Sequence, residues 1–201
     1  MQVLGSVIER EVVAAFLRAE IGSSRFGPAL VEILHRDGVS RELIEHPDLD
    51  DPFGNEYRRA LLSELRGWGE NRGLFKGFPA PVAWCRAAVE WDELMNVRYA
   101  NLDHWVYLSC GTRRPGDAAK RLRSGLTPEV DLGFYREITN ALSLGTAPLE
   151  LIMVSAADGS DSVLIDGHAR ITALLLADQP AFSQLTTFMG FADSLEGWMG
   201  Y

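Results

Sequence analysis

The sequence predicts an α+β protein: a helical N-terminal half, residues 1–100, packed on a small mixed α/β half, residues 101–201. Three observations carry that expectation. Apolar residues recur at helical spacing from residue 6 to about residue 70, and strand-like runs bounded by turn residues come only after residue 100. Near the end, the apolar run VLID passes through a single glycine directly into ARITALLLA.

In SVIEREVVAAFLRAEI, Ser6 is placed to cap a helix with Glu9 three residues on, and Ile8, Val12, Val13, Phe16 and Leu17 fall on one face. GPALVEILHRDG predicts a second helix, with Pro28 near its start and Gly38 past its end. DPFGNEYRRALLSELRGWG predicts a third, again closed by glycine. Residues 71–100 read as a Gly- and Pro-containing connection with one short helix near 92–97.

Aromatic and β-branched residues in HWVYLSC predict a strand over 104–110. GTRRPGDAAKRLRSG predicts a loop feeding a short helix that Gly125 stops. FYREITNALSLG predicts a helix with Phe134, Ile138, Ala141 and Leu142 on one side and Gly145 as its stop. PLELIMVSA and SVLID then flank ADGSD as a hairpin, with Asp158 and Gly159 as turn residues. The helix ARITALLLA follows, and FSQLTTFMGF predicts a last strand.

A net charge of −9 argues against nucleic acid and anionic membranes as partners, because a phosphate surface needs a matching excess of Lys and Arg. A small anionic ligand in a local basic pocket stays open. Two cysteines, Cys85 and Cys110, lack CxxC spacing and predict neither a disulfide framework nor a zinc site. MQVLGSVIEREVV meets charge too early for a signal peptide, and no apolar run reaches the roughly 20 residues needed to span a bilayer. The expectation is a cytoplasmic protein.

Two places concentrate chemistry. In DGHAR, Gly167 allows a sharp turn, so that the amides opening the next helix face outward with its positive dipole end. Arg170 in the first turn adds a charge-assisted donor for a phosphate. The plainer reading is an ordinary strand-to-helix turn with a solvated arginine. Between Gly111 and Gly125 the local charge is +4, from Arg113, Arg114, Lys120, Arg121 and Arg123 against Asp117. For Lys120, Arg121 and Arg123 a solvated helix face is the favoured reading, whereas Arg113 and Arg114 stand in the loop. The five tryptophans are scattered and read as packing residues, and His35, His46 and His104 lack metal-ligand spacing. No GxSxG, P-loop or HExxH pattern occurs.

VLIDGHARITALLLA resembles the signature of the ParB/sulfiredoxin superfamily, in which a strand ends in a Gly-x-x-Arg turn and a small residue follows three positions later; here these are Gly167, Arg170 and Ala173. The resemblance spans roughly 101–190, and the helix and hairpin over 133–166 fit it. It implies a turn that binds a nucleotide: CTP in chromosome-partition proteins, ATP in sulfiredoxin, ADP or ATP in free serine kinases, with Mg2+. The wider pattern, GTRRP, DGHAR and a terminal GW and Y, also resembles an uncharacterised bacterial family, which implies no activity.

The departures narrow the choice. Where sulfiredoxin chemistry needs a cysteine this chain carries His168, and too few residues follow the last expected strand for a partition protein's DNA domain. The free serine kinase turn, DGHHR, is nearest. By that resemblance Asp166 and His168 are the candidate catalytic residues, Asp166 orienting a metal or a hydroxyl and His168 acting as donor or acid–base. Gly167 and Arg170 would hold phosphate, Thr172 would flank them, and Arg113 and Arg114 would form a second anion clamp. Two functional readings remain: a small-molecule kinase or nucleotide hydrolase, and a non-catalytic ligand-sensing or accessory module whose acidic helical half docks a partner.

Overall fold

The computed structural model describes residues 1–145, 149–159, 161–177 and 184–201. Nine helices and a six-stranded mixed sheet occur among them, an α+β fold as expected. The chain forms two compact units, one of Val7–Phe78 with Gly197–Met199, the other of Met1–Ser6, Pro79–Glu196 and Gly200–Tyr201. The expected division at residue 100 therefore falls inside the second unit. Strands on both sides of that position hydrogen-bond into one sheet, which holds them together whatever their distance along the chain.

In the helical unit, α1 (Glu9–Ile21), α2 (Gly27–Asp37), α3 (Glu42–Glu45) and α4 (Pro52–Arg66) pack around Val12, Val13, Phe16, Leu17, Leu30, Leu34 and Leu62. Ser6 does not cap α1, since it closes strand β1 (Gln2–Ser6); the Ile8 amide instead donates to Glu11 Oε1 at 3.1 Å. Ile8 itself lies outside the buried face. Asp51 caps α4 by accepting from the Phe53 and Gly54 amides, both at 3.0 Å. Gly38 and Gly67, at φ of +67° and +88°, end α2 and α4 where the sequence places their stops. Trp68, Phe75, Phe78 and Trp198 stack edge to face, and Trp198 Nε1 donates to Leu74 O at 2.7 Å.

The sheet unit orders its strands β1-β2-β6-β4-β5-β3, where β2 is Ala83–Glu90, β3 Arg98–Tyr99, β4 Ile152–Ala156, β5 Ser162–Asp166 and β6 Gln184–Ala192. β6 pairs antiparallel with β2 along its length and parallel with β4, and β5 pairs antiparallel with β4 and parallel with β3. β1 and β2 are the strands the sequence hides. AWCRAAVE carries three alanines and an arginine, a weak local preference for extended structure, and it becomes a strand because β1 and β6 pair with both of its edges.

The reverse error occurs at 104–110. The expected strand HWVYLSC is helix α6 (Asp103–Leu108), with Trp105 and Leu108 buried three residues apart while Tyr107 is 51% exposed. Aromatic residues fit a half-buried surface on either backbone, and the helical spacing decides here. The short helix expected at 92–97 is α5 (Trp91–Leu94).

Helices α7 (Pro115–Arg123), α8 (Leu132–Ser143) and α9 (His168–Leu176) match their expected places and pack on one another. Their core contains Leu122, Tyr135, Leu142, Ile171 and Ala173 with Met153 and Leu164 of the sheet. The α8 face is rotated from expectation: Tyr135 and Leu142 are buried and Phe134 is 40% exposed. Of the β4–β5 hairpin, Pro148 and Ser160 lie outside the described residues, as do Phe182 and Ser183 of the last expected strand. No helix among the described residues is long and apolar enough to cross a membrane.

Candidate functional site

The DGHAR turn joins β5 to α9. Gly167 has φ +98°, a left-handed conformation that side chains rarely adopt, and a Cβ there would run into the Leu151 side chain. Both the backbone and the packing thus demand glycine. Asp166 closes the strand and Arg170 stands four residues on in the first turns of the helix, where its Nη2 donates to Asp166 Oδ2 in an ion pair. Their side chains are only 17% and 12% exposed, so the pair is shielded from bulk water.

His168 points away from that pair. It is 8% exposed, and its ring stacks on Tyr99 at 5.6 Å and on Trp105 at 5.2 Å. Its Nε2 accepts the Ala100 N–H at 3.2 Å, and the same amide also donates to Leu164 O at 3.1 Å. An acceptor Nε2 requires the neutral imidazole with its proton on Nδ1. Below it, Thr172 Oγ1 donates to His168 O at 2.7 Å and lies 2.5 Å from Tyr99 Oη. Since the Thr172 hydroxyl has one proton, the Tyr99 phenol is the donor of the second bond. Burial first of all pushes the Tyr99 pKa well above its ordinary value, which keeps that phenol protonated. Thr172 is therefore the middle of a buried relay from Tyr99 to the His168 carbonyl, one turn beyond a capping position.

Arg113 engages partners other than those of Arg170. Arg113, 8% exposed at φ +58°, donates from its amide to Ser109 Oγ at 2.8 Å, accepts from the Tyr99 amide at 2.7 Å, and sends Nη1 to Gly200 O at 3.2 Å. Its guanidinium lies in the field of Arg98, Tyr201 and Asp161; burial, and then Arg98, pull its pKa down. Arg98 and Asp161 are 2.9 Å apart, and Tyr201 Oη donates to Asp161 Oδ2 at 2.7 Å. Asp161 precedes β5 and Asp166 ends it, so the carboxylates serving the two arginines are about 16 Å of strand apart. Alternation along β3 also sends Arg98 to the opposite side of the sheet from Tyr99. Arg114 is exposed at the start of α7, its amide donating to Thr112 Oγ1.

A nucleotide with Mg2+ would require an available carboxylate at this turn. The one present is held by Arg170, and among the described residues no group of three or more His, Cys, Asp and Glu gathers around a point. The junction does not fit a resident metal. What it offers is the start of a nine-residue helix with an oriented guanidinium beside it, an arrangement suited to an anion.

Sequence reasoning missed a second concave feature. A cleft of about 340 Å³ opens between the ends of α7 and α9 and the outer face of α8, with Arg123 and Arg136 among its lining residues. The signal was present in REITN, where Arg136 and Asn140 stand four apart on the same side of α8. Comparison with protein-family models, curated proteins and solved structures gave no match.

Proposed function

We propose that this chain binds a small phosphorylated molecule, nucleotides included, at the start of α9, and acts as a ligand-sensing or accessory module without turning the ligand over. The observation that carries the binding half is the Asp166–Arg170 pair straddling a left-handed Gly167. A phosphate arriving there meets first-turn amides, the positive end of the helix and a guanidinium whose direction Asp166 sets. The likeness of DGHAR to ParB/sulfiredoxin-type turns supports the same ligand class.

The absence of turnover rests on what the two candidate catalytic groups are doing. Asp166 is engaged with Arg170, and the His168 lone pair is spent on the Ala100 amide inside an aromatic cluster. Neither is arranged to take a proton from a substrate hydroxyl.

Thermal melts with ATP, ADP and CTP, each with and without Mg2+, test the reading. A ligand at a hundred times its Kd stabilises by about 2.7 kcal/mol, and Arg170→Ala is expected to remove that gain while Arg113→Ala leaves it. No shift at millimolar nucleotide in any arm would overturn the proposal. Phosphorylated product from a panel of hydroxy amino acids would replace it with the kinase reading.

A further inference from the structure

We infer that the outer edge of β1 is a self-association surface, to which a second copy of this chain adds its own β1 antiparallel across a two-fold axis. The two edges of the sheet differ. At one, β3 is only two residues long and the Tyr99 amide donates to Arg113 O at 2.7 Å, so the loop before α7 covers it. At the other, among the described residues β1 pairs with β2 alone, and all five of its residues, Gln2–Ser6, are exposed. The outward N–H and C=O groups of such a strand are a template for another strand. Exposed edges are usually blunted by lysine, proline or an inward charge, and QVLGS has none of these. The one device present is a bulge between Val3 and Gly5, and it leaves the apolar Leu4 53% exposed. Val3 pairs with the core residue Ala87 and shares its face, yet is 57% exposed, because no strand lies beyond it.

Charge selects the occupant. A two-fold axis sets residues of one strand against the same few residues of its copy, so an edge that carries charge repels itself. Charged residues make up 23% of the chain, yet none occupies positions 1–8, and the Met1 amino group is held by Glu93 of α5. Two copies of β1 therefore meet with no like charges opposed, and their Val3 and Leu4 side chains cover apolar surface on each other. A strongly charged segment of another protein finds no counter-charge on this strand. The 5 residues of β1 give about 17 Å of edge, short of the about 800 Å² per partner that a standard complex buries, so the dimer belongs to the weak, concentration-dependent class. The net charge of −9 on each copy opposes their approach, and salt screens that repulsion.

Sedimentation velocity of the full chain from about 5 to about 500 μM tests it, with a dimer Kd expected at about 10–100 μM. Val3→Lys with Leu4→Lys, both at exposed positions, should leave Tm unchanged and weaken association at least about tenfold. Phe53→Lys, at an 81% exposed apolar position on α4, should leave association unchanged. In the unsubstituted chain, hydrogen exchange at the β1 amides should slow as concentration rises through the Kd. Raising NaCl from about 50 to about 300 mM should tighten the dimer. Three results would each overturn the inference: a monomer throughout the range with concentration-independent exchange in β1, a dimer as tight in the double lysine variant as in the unsubstituted chain, or a dimer that dissociates as salt rises. Capture of an extended apolar peptide by a chain that stays monomeric would give the edge to another occupant and likewise overturn it. Arg170→Ala should leave association unchanged, so this inference and the nucleotide proposal can fail separately.

Discussion

His168 Nε2 accepts the Ala100 backbone N–H at 3.2 Å, tying the first residue of α9 to the chain just past β3, 68 residues away in sequence. The imidazole joins Tyr99 and Trp105 in a three-ring cluster, so its contribution comes mainly from packing. Because the Ala100 amide keeps Leu164 O as a second acceptor, losing the nitrogen alone is cheap. His168→Phe should therefore cost about 1 kcal/mol or less, and His168→Ala about 3 kcal/mol, in urea unfolding. Nucleotide-induced stabilisation should survive His168→Phe. Its loss in a folded variant would return His168 to the ligand site.

Gly167→Ala combines a left-handed backbone with a side-chain collision. It should lower stability by about 2–4 kcal/mol, more than the backbone conformation alone would cost. Because the collision is with Leu151, the double variant with Leu151→Ala should destabilise by less than the sum of the two single changes. Strict additivity in a double-mutant cycle would show that the two residues do not meet.

The Asp166–Arg170 pair is mostly shielded from water, so breaking it strands a charge. Asp166→Asn should destabilise by about 1–3 kcal/mol, and Asp166→Asn with Arg170→Met should recover most of that loss. Raising salt should change the cost little, unlike that of an exposed pair. A strong salt dependence would place the pair in open solvent.

Burial raises the Tyr135 phenol from 10.0 to about 12. The folded chain then holds a proton that the unfolded chain releases first, so stability is complete below pH 10 and falls as pH rises from about 10 through 12. Tyr135→Phe should flatten part of that decline. An unchanged slope would assign the alkaline loss to other groups, Tyr99 first.

β2 is tested at its centre. Ala87 has no exposed surface and pairs with Val3 on one side and Thr187 on the other. Ala87→Asp should abolish cooperative folding of the sheet unit, since an unpaired carboxylate would enter the core. Near-native stability, read by circular dichroism on heating, would contradict a central position for this strand.

Much of this was legible from local pattern. α2, α4, α7 and α9 carry their own stop signals or apolar spacing, and the SVLID–Gly167–His168 junction announces a strand, a tight turn and a helix in consecutive residues. β2 was not legible, because alanine favours helix over strand and the extended conformation here is set by distant partners. Nor was α6, because aromatic residues suit any half-buried surface.

At the candidate site the same division holds. The chain by itself determined that residue 167 must be a turn glycine and that an arginine would follow it within one helical turn, since both depend on nearest neighbours. Only the tertiary structure decided what those groups do. It brought Tyr99, Ala100 and Trp105 onto His168, set Asp166 against Arg170, and kept Arg113 with Asp161 and Tyr201. Charge and hydrogen-bonding capacity are properties of a residue, whereas whether they remain available to a ligand depends on partners that only folding brings within a few ångströms.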